Sequence, residues 1–192
     1  MSVHIAKALD PVEAMRKAHA DALIDVATFK DEVTLIIKPE TLVTVARYLR
    51  DTPGLIYNFL SDISAVDYFN PQGGYDGRPE RFAVSYHLYS MLYNRRIRVK
   101  TFVAEEEPHV PTLTVVWPAA NWLEREIIDM MGITFDGHPD PRRLLMPKDW
   151  DGHPHRRDYP LGYEQVMFSF NVEDIIKHKP NAKDGQEENT RQ

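Results

Sequence analysis

A chain of 192 residues, with 43% hydrophobic and 27% charged residues, has the material for one soluble domain plus extensions. Its net charge of −6 argues against nucleic-acid binding by bulk electrostatics, and no apolar run reaches the length of about 18 residues that a membrane-spanning helix needs. Zero cysteines exclude disulfides, thiolate zinc sites, cysteine-ligated iron–sulfur clusters and cysteine nucleophiles.

In chain order, Met-Ser-Val-His-Ile-Ala-Lys at the start lacks the apolar region of a signal peptide. Asp10-Pro11-Val12-Glu13 supplies a capping residue, a first-turn proline and a glutamate at the third position, which predicts a short helix. Residues 22–29 and 32–38 are β-rich runs joined by Lys30-Asp31, a predicted hairpin. Pro39-Glu40 opens a helix to Asp51 with Leu42, Val45, Ala46 and Leu49 on one stripe. A short strand is expected at 64–68, then a glycine-bearing loop over 70–79. Those glycines are no phosphate cradle, because no helix comes after them. No Gly-x-Gly-x-x-Gly or Walker-type loop occurs anywhere, which weakens any nucleotide-binding role.

Residues 81–90 alternate Phe82, Val84, Tyr86 and Leu88 inward, and 95–103 alternate Ile97, Val99, Thr101 and Val103 against Arg96, Arg98, Lys100 and Phe102. The basic side of the second strand is read as a solvated sheet face or edge, with contact to an acidic partner as the other reading. Residues 119–131 form a predicted helix that Gly132 stops, with Ala119, Ala120, Leu123, Ile127, Met130 and Met131 on its core arc. Arg125 and Asp129 lie four apart on the opposite side, close enough to pair, with Trp122 beside them. Trp122 off the core arc fits either packing under the next loop or a second buried side covered by a partner. Glu124 and Glu126, two apart, point in separate directions and read as surface or interface charges rather than an acid/base pair.

From 136 to 163, Asp-Gly-His-Pro occurs twice and five basic residues balance five aspartates, so this is no nucleic-acid footprint. Its prolines forbid a continuous helix or a central strand. Arginines with Trp150, Tyr159 and Tyr163 suit a preorganised contact surface. His138, His153 and His155, near Asp140 and Asp151, raise the alternative of a small metal-dependent hydrolase, although no metal-ligand spacing supports it. Beyond Tyr163, residues 165–178 are modestly apolar without periodicity, read as a wrapping arm or one short helix. Residues 180–192 read as a disordered tail.

Glu124-Arg125-Glu126, then Asp129-Met130-Met131, His138 and Arg142-Arg143-Leu144-Leu145 resemble the signature of the C subunit of respiratory complex I, the 30-kDa subunit family. Asp149-Trp150, Gly152-His153-Pro154 and Arg156-Arg157-Asp158-Tyr159 are similar to the continuation of that signature, and Met131 stands where an aromatic residue is expected. The resemblance implies a non-catalytic core subunit of the peripheral arm of proton-pumping NADH:quinone oxidoreductase. It implies docking on the D subunit, which lines the quinone cavity, near the quinone-reducing end and among the other peripheral-arm subunits. The chain would bind no cofactor, while the whole complex uses FMN, iron–sulfur clusters, NADH and quinone. It would meet the membrane only through the complex, on the cytoplasmic face in a bacterium or the matrix side in an organelle. Homologous subunits of photosynthetic or hydrogenase complexes share the motif.

The expected fold is α+β: a mainly antiparallel sheet with helices on one face, followed by a proline-rich extended C-terminal arm. The divisions are a core domain over 1–137, a partner-docking arm over 138–179 and a tail over 180–192. The expected interface comprises Trp122, Glu124, Arg125, Glu126, Asp129, His138, Arg142, Arg143, Trp150, His153, Arg156, Arg157, Asp158 and Tyr159. On this reading, charge reversal at Arg125 harms assembly more than folding, and truncation after Gly137 leaves a folded domain.

Overall fold

The computed structural model describes residues 6–160. Helix α1 (Pro11–Ala18) begins where Asp10 Oδ1 accepts from the backbone N–H groups of Val12 and Glu13, both at 2.9 Å. Such a cap satisfies donors that a helix start leaves without partners. The hairpin of β1 (Leu23–Phe29) and β2 (Glu32–Ile37) turns through Lys30 and Asp31, both with positive φ. Two left-handed residues are what a tight hairpin turn requires.

A single 3-10 turn at Pro39–Thr41 leads into α2 (Leu42–Asp51), whose stripe Leu42, Val45, Ala46 and Leu49 is buried as expected. Then come β3 (Phe59–Asp67), β4 (Phe82–Ser90) and β5 (Arg95–Val103). β3 is longer than the strand expected at 64–68 because its pairing with β4 runs from Phe59 opposite Tyr89 to Asp67 opposite Phe82. Two short strands, β6 (His109–Pro111) and β7 (Thr134–Asp136), flank α3 (Ala120–Met131) and pair in parallel. Three-residue strands carry too little periodicity to be seen in a sequence.

The five-stranded sheet runs β1-β2-β5-β4-β3. It is antiparallel except for β2 beside β5, where Leu35 faces Val99 in a parallel ladder. This is the expected α+β fold, with one parallel pair added by the crossover through α2. The core joins Leu35 and Ile37 of β2, the α2 stripe, Tyr86 and Leu88 of β4, Ile97 and Val99 of β5, and Ile127 and Met131 of α3. On the other face of β5, Arg98 Nε donates to Thr34 Oγ1 at 2.9 Å and Lys100 Nζ to the Tyr68 hydroxyl at 3.3 Å. Two members of that basic row are thus bonded within their own sheet face, while Arg96 is exposed.

Residues through Arg157 form one compact unit, and Asp158–Gln192 a second. The boundary read at Gly137 therefore does not separate 138–157 from the core, for reasons that lie on α3. The part of the expected arm (138–179) beyond residue 160, and the tail over 180–192, fall outside the described residues. Among the described residues, no helix is long and apolar enough to cross a membrane.

Candidate partner-docking site

α3 carries two fully buried carboxylates, Glu124 and Asp129, and each organises a different neighbour. Asp129 faces the segment after β7. Its Oδ2 accepts from the successive backbone N–H groups of Leu144, Leu145 and Met146 at 3.0, 2.7 and 2.8 Å, and its Oδ1 from Arg143 Nη1 at 2.8 Å. Burial alone would raise this carboxyl, but the four donors outweigh it and hold the group below the usual carboxylate range. A concave run of amides around an anion is a nest, here closed by a side chain of the same protein.

Arg125, one turn earlier, completes the clamp. Its Nε and Nη2 donate to the carbonyls of Arg142 and Arg143 at 3.0 and 3.1 Å, and Nη1 lies 3.6 Å from Asp140. The expected Arg125–Asp129 pair does not form, because each side chain reaches the arm instead. At 9% exposure Arg125 is also no outward charge, so reversing it strikes folding, contrary to the expectation from the sequence. Arg143 in turn donates through Nη2 to the carbonyls of Trp150 and Gly152.

The end of α3 is closed the same way. A helix leaves its last carbonyls without intrahelical donors. His153 Nδ1 donates to the carbonyl of Asp129 at 2.8 Å, His155 N to Met130 at 2.9 Å, and Arg156 Nε to Met131 at 2.7 Å. Gly132, with φ of 70°, both stops the helix and makes room: a Cβ there would lie 2.5 Å from the His153 ring and 2.8 Å from Arg156 Nη2. Removing everything after Gly137 would take these donors away from the last α3 carbonyls and from Asp129 together.

Glu124 points elsewhere. Thr112 Oγ1 donates to its Oε2 at 2.6 Å and Leu113 N to its Oε1 at 2.7 Å, so it pins the end of β6 to α3. Burial pushes its carboxyl up to about 7, against the pull of these two donors. His138 Nε2 lies 3.8 Å away. His138 Nδ1 accepts from Asp140 N at 3.0 Å, which leaves Nε2 as donor, directed to the Asn121 carbonyl at 3.2 Å. Glu124 is therefore an internal fastener rather than the surface charge read from the sequence, whereas Glu126 is exposed.

The three histidines do not gather. His138 is bonded at Asn121 and His153 at Asp129, carbonyls eight residues apart and so about 12 Å apart along α3. Among the described residues no cluster of three histidines or carboxylates is placed to hold a metal ion, and the hydrolase alternative loses its site.

Two residues passed over in the sequence complete the anchorage. Arg81 and Asp67 form a fully buried two-pronged pair, Nε to Oδ1 at 3.0 Å and Nη2 to Oδ2 at 2.9 Å. Arg81 also reaches Glu105 at 2.6 Å and stacks on the rings of Phe69 and Phe82. The backbone N–H of Arg157 donates to Asp67 Oδ2 at 2.9 Å, and Arg157 Nη1 to Asp76 at 2.6 Å, tying the end of the first unit to the β3–β4 loop. A charge at each mouth of one long hairpin, flanked by aromatics, is the signal that could have found them. Asp158 and Tyr159 begin the second unit.

Outside these clamps a ridge stays uncovered among the described residues. Trp122 is 61% exposed, with the Arg125 guanidinium 5.1 Å from its ring, and Leu145 is 59% exposed. Arg142, bonded to Asp140 through two nitrogens at 2.6 and 2.7 Å, has its side chain 76% exposed. Glu124, though poised near neutrality, is sealed from any substrate.

Comparison with known proteins accords with this geometry. The family model described as "Respiratory-chain NADH dehydrogenase, 30 Kd subunit" matches residues 35–165. The NADH-quinone oxidoreductase C subunit of Roseiflexus sp. (strain RS-1) is 48% identical over 173 residues, covering 90% of this chain and 95% of that protein. The protein of the same name from Geobacter metallireducens is 44% identical, covering 77% of this chain and 86% of its own length. A solved structure, "Nqo5 of the trypsin-resistant fragment (1-134) in P63 form", superposes with a TM-score of 0.57 at 34% identity, over 68% of this chain and 99% of the fragment. With its signature residues spent on folding the arm over 138–157 against α3, this chain belongs to the 30-kDa subunit family of respiratory-chain NADH dehydrogenase.

Proposed function

We propose that this chain is a non-catalytic subunit of the peripheral arm of NADH:quinone oxidoreductase that docks on the D subunit near the quinone-reducing end. The supporting observation is the ridge of Trp122, Arg142 and Leu145: an exposed tryptophan backed by a buried arginine, on a segment already fixed by its own protein. Tryptophan and arginine dominate interface energetics, and a prefolded segment loses little entropy on binding. The chain carries no electrons itself. With no cysteine and no dinucleotide loop, it leaves FMN, iron–sulfur clusters, NADH and quinone to other subunits and supports electron transfer by ordering its partner. It sits peripherally on the cytoplasmic face of a bacterial membrane, attached through the complex.

The test is the double substitution Trp122→Ala with Leu145→Ala, comparing the free chain with the assembled complex. Unfolding of the free chain should change by less than about 1 kcal/mol, since neither side chain is in the core. Capture of the D subunit should weaken by about 2–4 kcal/mol. Unchanged capture would overturn the docking assignment.

A further inference from the structure

A second surface lies at the β1–β2–β5 side of the sheet. A groove of about 680 Å³ opens there, floored by Ile24, Ile36 and Phe102. Asp25, Glu40, Glu80 and Glu107 rim it, with Arg78 and His109 as the basic members. Arg78, which lines the groove, also lies with its guanidinium 5.4 Å from the centre of the Tyr68 ring. None of the four carboxylates enters an ion pair among the described residues, in contrast to Asp67, Asp129 and Asp140 on the docking side. The lining is therefore acidic, four carboxylates against one arginine and one histidine, with Asp25 Oδ1 also accepting from Val26 N at 2.8 Å.

The strand beside it exposes apolar side chains. β1 is the first strand of the sheet, with β2 on one side and no strand on the other among the described residues. Edge strands are normally guarded by proline, by lysine or by inward charge. β1 instead reads Leu-Ile-Asp-Val-Ala-Thr-Phe, with Ile24 at 58% and Phe29 at 68% exposure. A register shift between Leu23 and Asp25 leaves Ile24 outside the ladder to β2. Such bulges re-aim a side chain, and here the re-aimed residue lines the groove.

We infer that the groove, which crosses the ends of β1, β2 and β5, is a second docking surface, one that takes a basic, extended segment of a partner protein. Apolar side chains of such a segment would meet Ile24, Ile36 and Phe102, and its lysines or arginines the carboxylates of Asp25, Glu40, Glu80 and Glu107. An acidic segment would meet four like charges. The inference stands apart from the docking of Trp122, since none of its residues lies on α3 or the arm.

The experiment uses the full chain and two fluorescein-labelled octapeptides, one alternating lysine with valine and the other glutamate with valine, read by anisotropy. The lysine peptide should bind, the glutamate peptide should not, and affinity should fall as salt rises. Glu40→Lys with Glu80→Lys, and separately Ile24→Asp, should each weaken binding by about tenfold or more. All three sites are surface residues, so an unchanged thermal midpoint verifies that the variants are folded. In the assembled complex, a photo-crosslinker at position 24 should label a lysine- or arginine-rich segment of another subunit. Equal binding of both peptides, insensitivity to the charge reversals, no binding of the lysine peptide, or crosslinks confined to residues 161–192 of this chain would each overturn the inference. The Trp122 and Leu145 double variant should bind the lysine peptide normally, which separates failure here from failure of the docking assignment.

Discussion

Two regions of α3 handle the same problem in opposite ways. Glu124 and Asp129 both have zero exposure, and five residues separate them, about 7.5 Å along the helix. Asp129 gathers three amides and a guanidinium and remains an anion. Glu124 has two donors, a hydroxyl and an amide, and burial lifts its carboxyl to about 7. Burial by itself decides nothing about charge. The count and formal charge of the donors decide whether a desolvated carboxylate keeps its proton. On one side the helix binds its arm by electrostatics, and on the other it binds β6 by a group nearly as comfortable neutral.

The most damaging way to probe that difference is Asp129→Ala, which leaves Arg143 and three amides without their acceptor. We expect a loss of about 3–5 kcal/mol in unfolding free energy. Hydrogen exchange at Leu144, Leu145 and Met146 should accelerate, and unaltered protection there would remove Asp129 from its assigned role. Next comes Arg125→Met, which keeps the apolar stem but strips donors from two carbonyls. Denaturant unfolding should register about 2–3 kcal/mol. A free chain of wild-type stability would restore the outward-facing arginine read from the sequence.

Glu124→Gln tests the other side, and its sign depends on pH. The folded carboxyl titrates at about 7, above its ordinary unfolded value, so the stability linked to its proton is complete at low pH and is lost as pH rises through 7. Asp129, depressed when folded, works the other way: its contribution is present at neutral pH and is lost as pH falls through the folded value. Glutamine imitates the protonated acid. The variant should match the wild type near pH 5 and exceed it by about 1–2 kcal/mol at pH 8, judged from melting curves at both values. Equal losses at both values would make the site an ordinary ion pair. The smallest effect belongs to Arg142→Ala, outside both clamps. The half-buried Asp140 carboxyl, held at about 2 chiefly by its bond to Arg142, should move toward the ordinary range by NMR titration, with the melting point hardly changed.

Much of the scaffold is legible because it depends on local periodicity. The Leu42–Leu49 stripe, the alternation in β4 and β5, the Asp10 cap and the Gly132 stop each arise from residues within one element. The α3 motif and its arm are also recognisable as a unit. What stays hidden is direction. Angular position along α3 puts Arg125 and Asp129 on the side opposite the core, and that side is indeed opposite. It is covered all the same, by the chain's own residues 138–157, and no periodicity within α3 reports what lies across from it. Glu124 reads as a surface charge for a related reason: its acceptors find donors on Thr112 and Leu113, whose placement depends on the three-residue pairing of β6 with β7. Asp67 and Arg81 meet across a loop of fourteen positions, and only the β3–β4 register brings them together.

The spacing of the clamp also sets an order of events during synthesis. Asp129 waits for amides 15 to 17 positions later, and Asp67 for an amide 90 positions later. An unfinished chain thus emerges from the ribosome with its sheet and α2 complete in sequence but with Asp129 and the last α3 carbonyls still without the donors that residues 143–156 supply. Contacts of such long range close last, because loop entropy must be overcome before they form. The ridge that presents Trp122 and Leu145 together exists only after that closure. In a chain cut short or stalled, Leu145 would lack the anchor that its backbone N–H finds on Asp129.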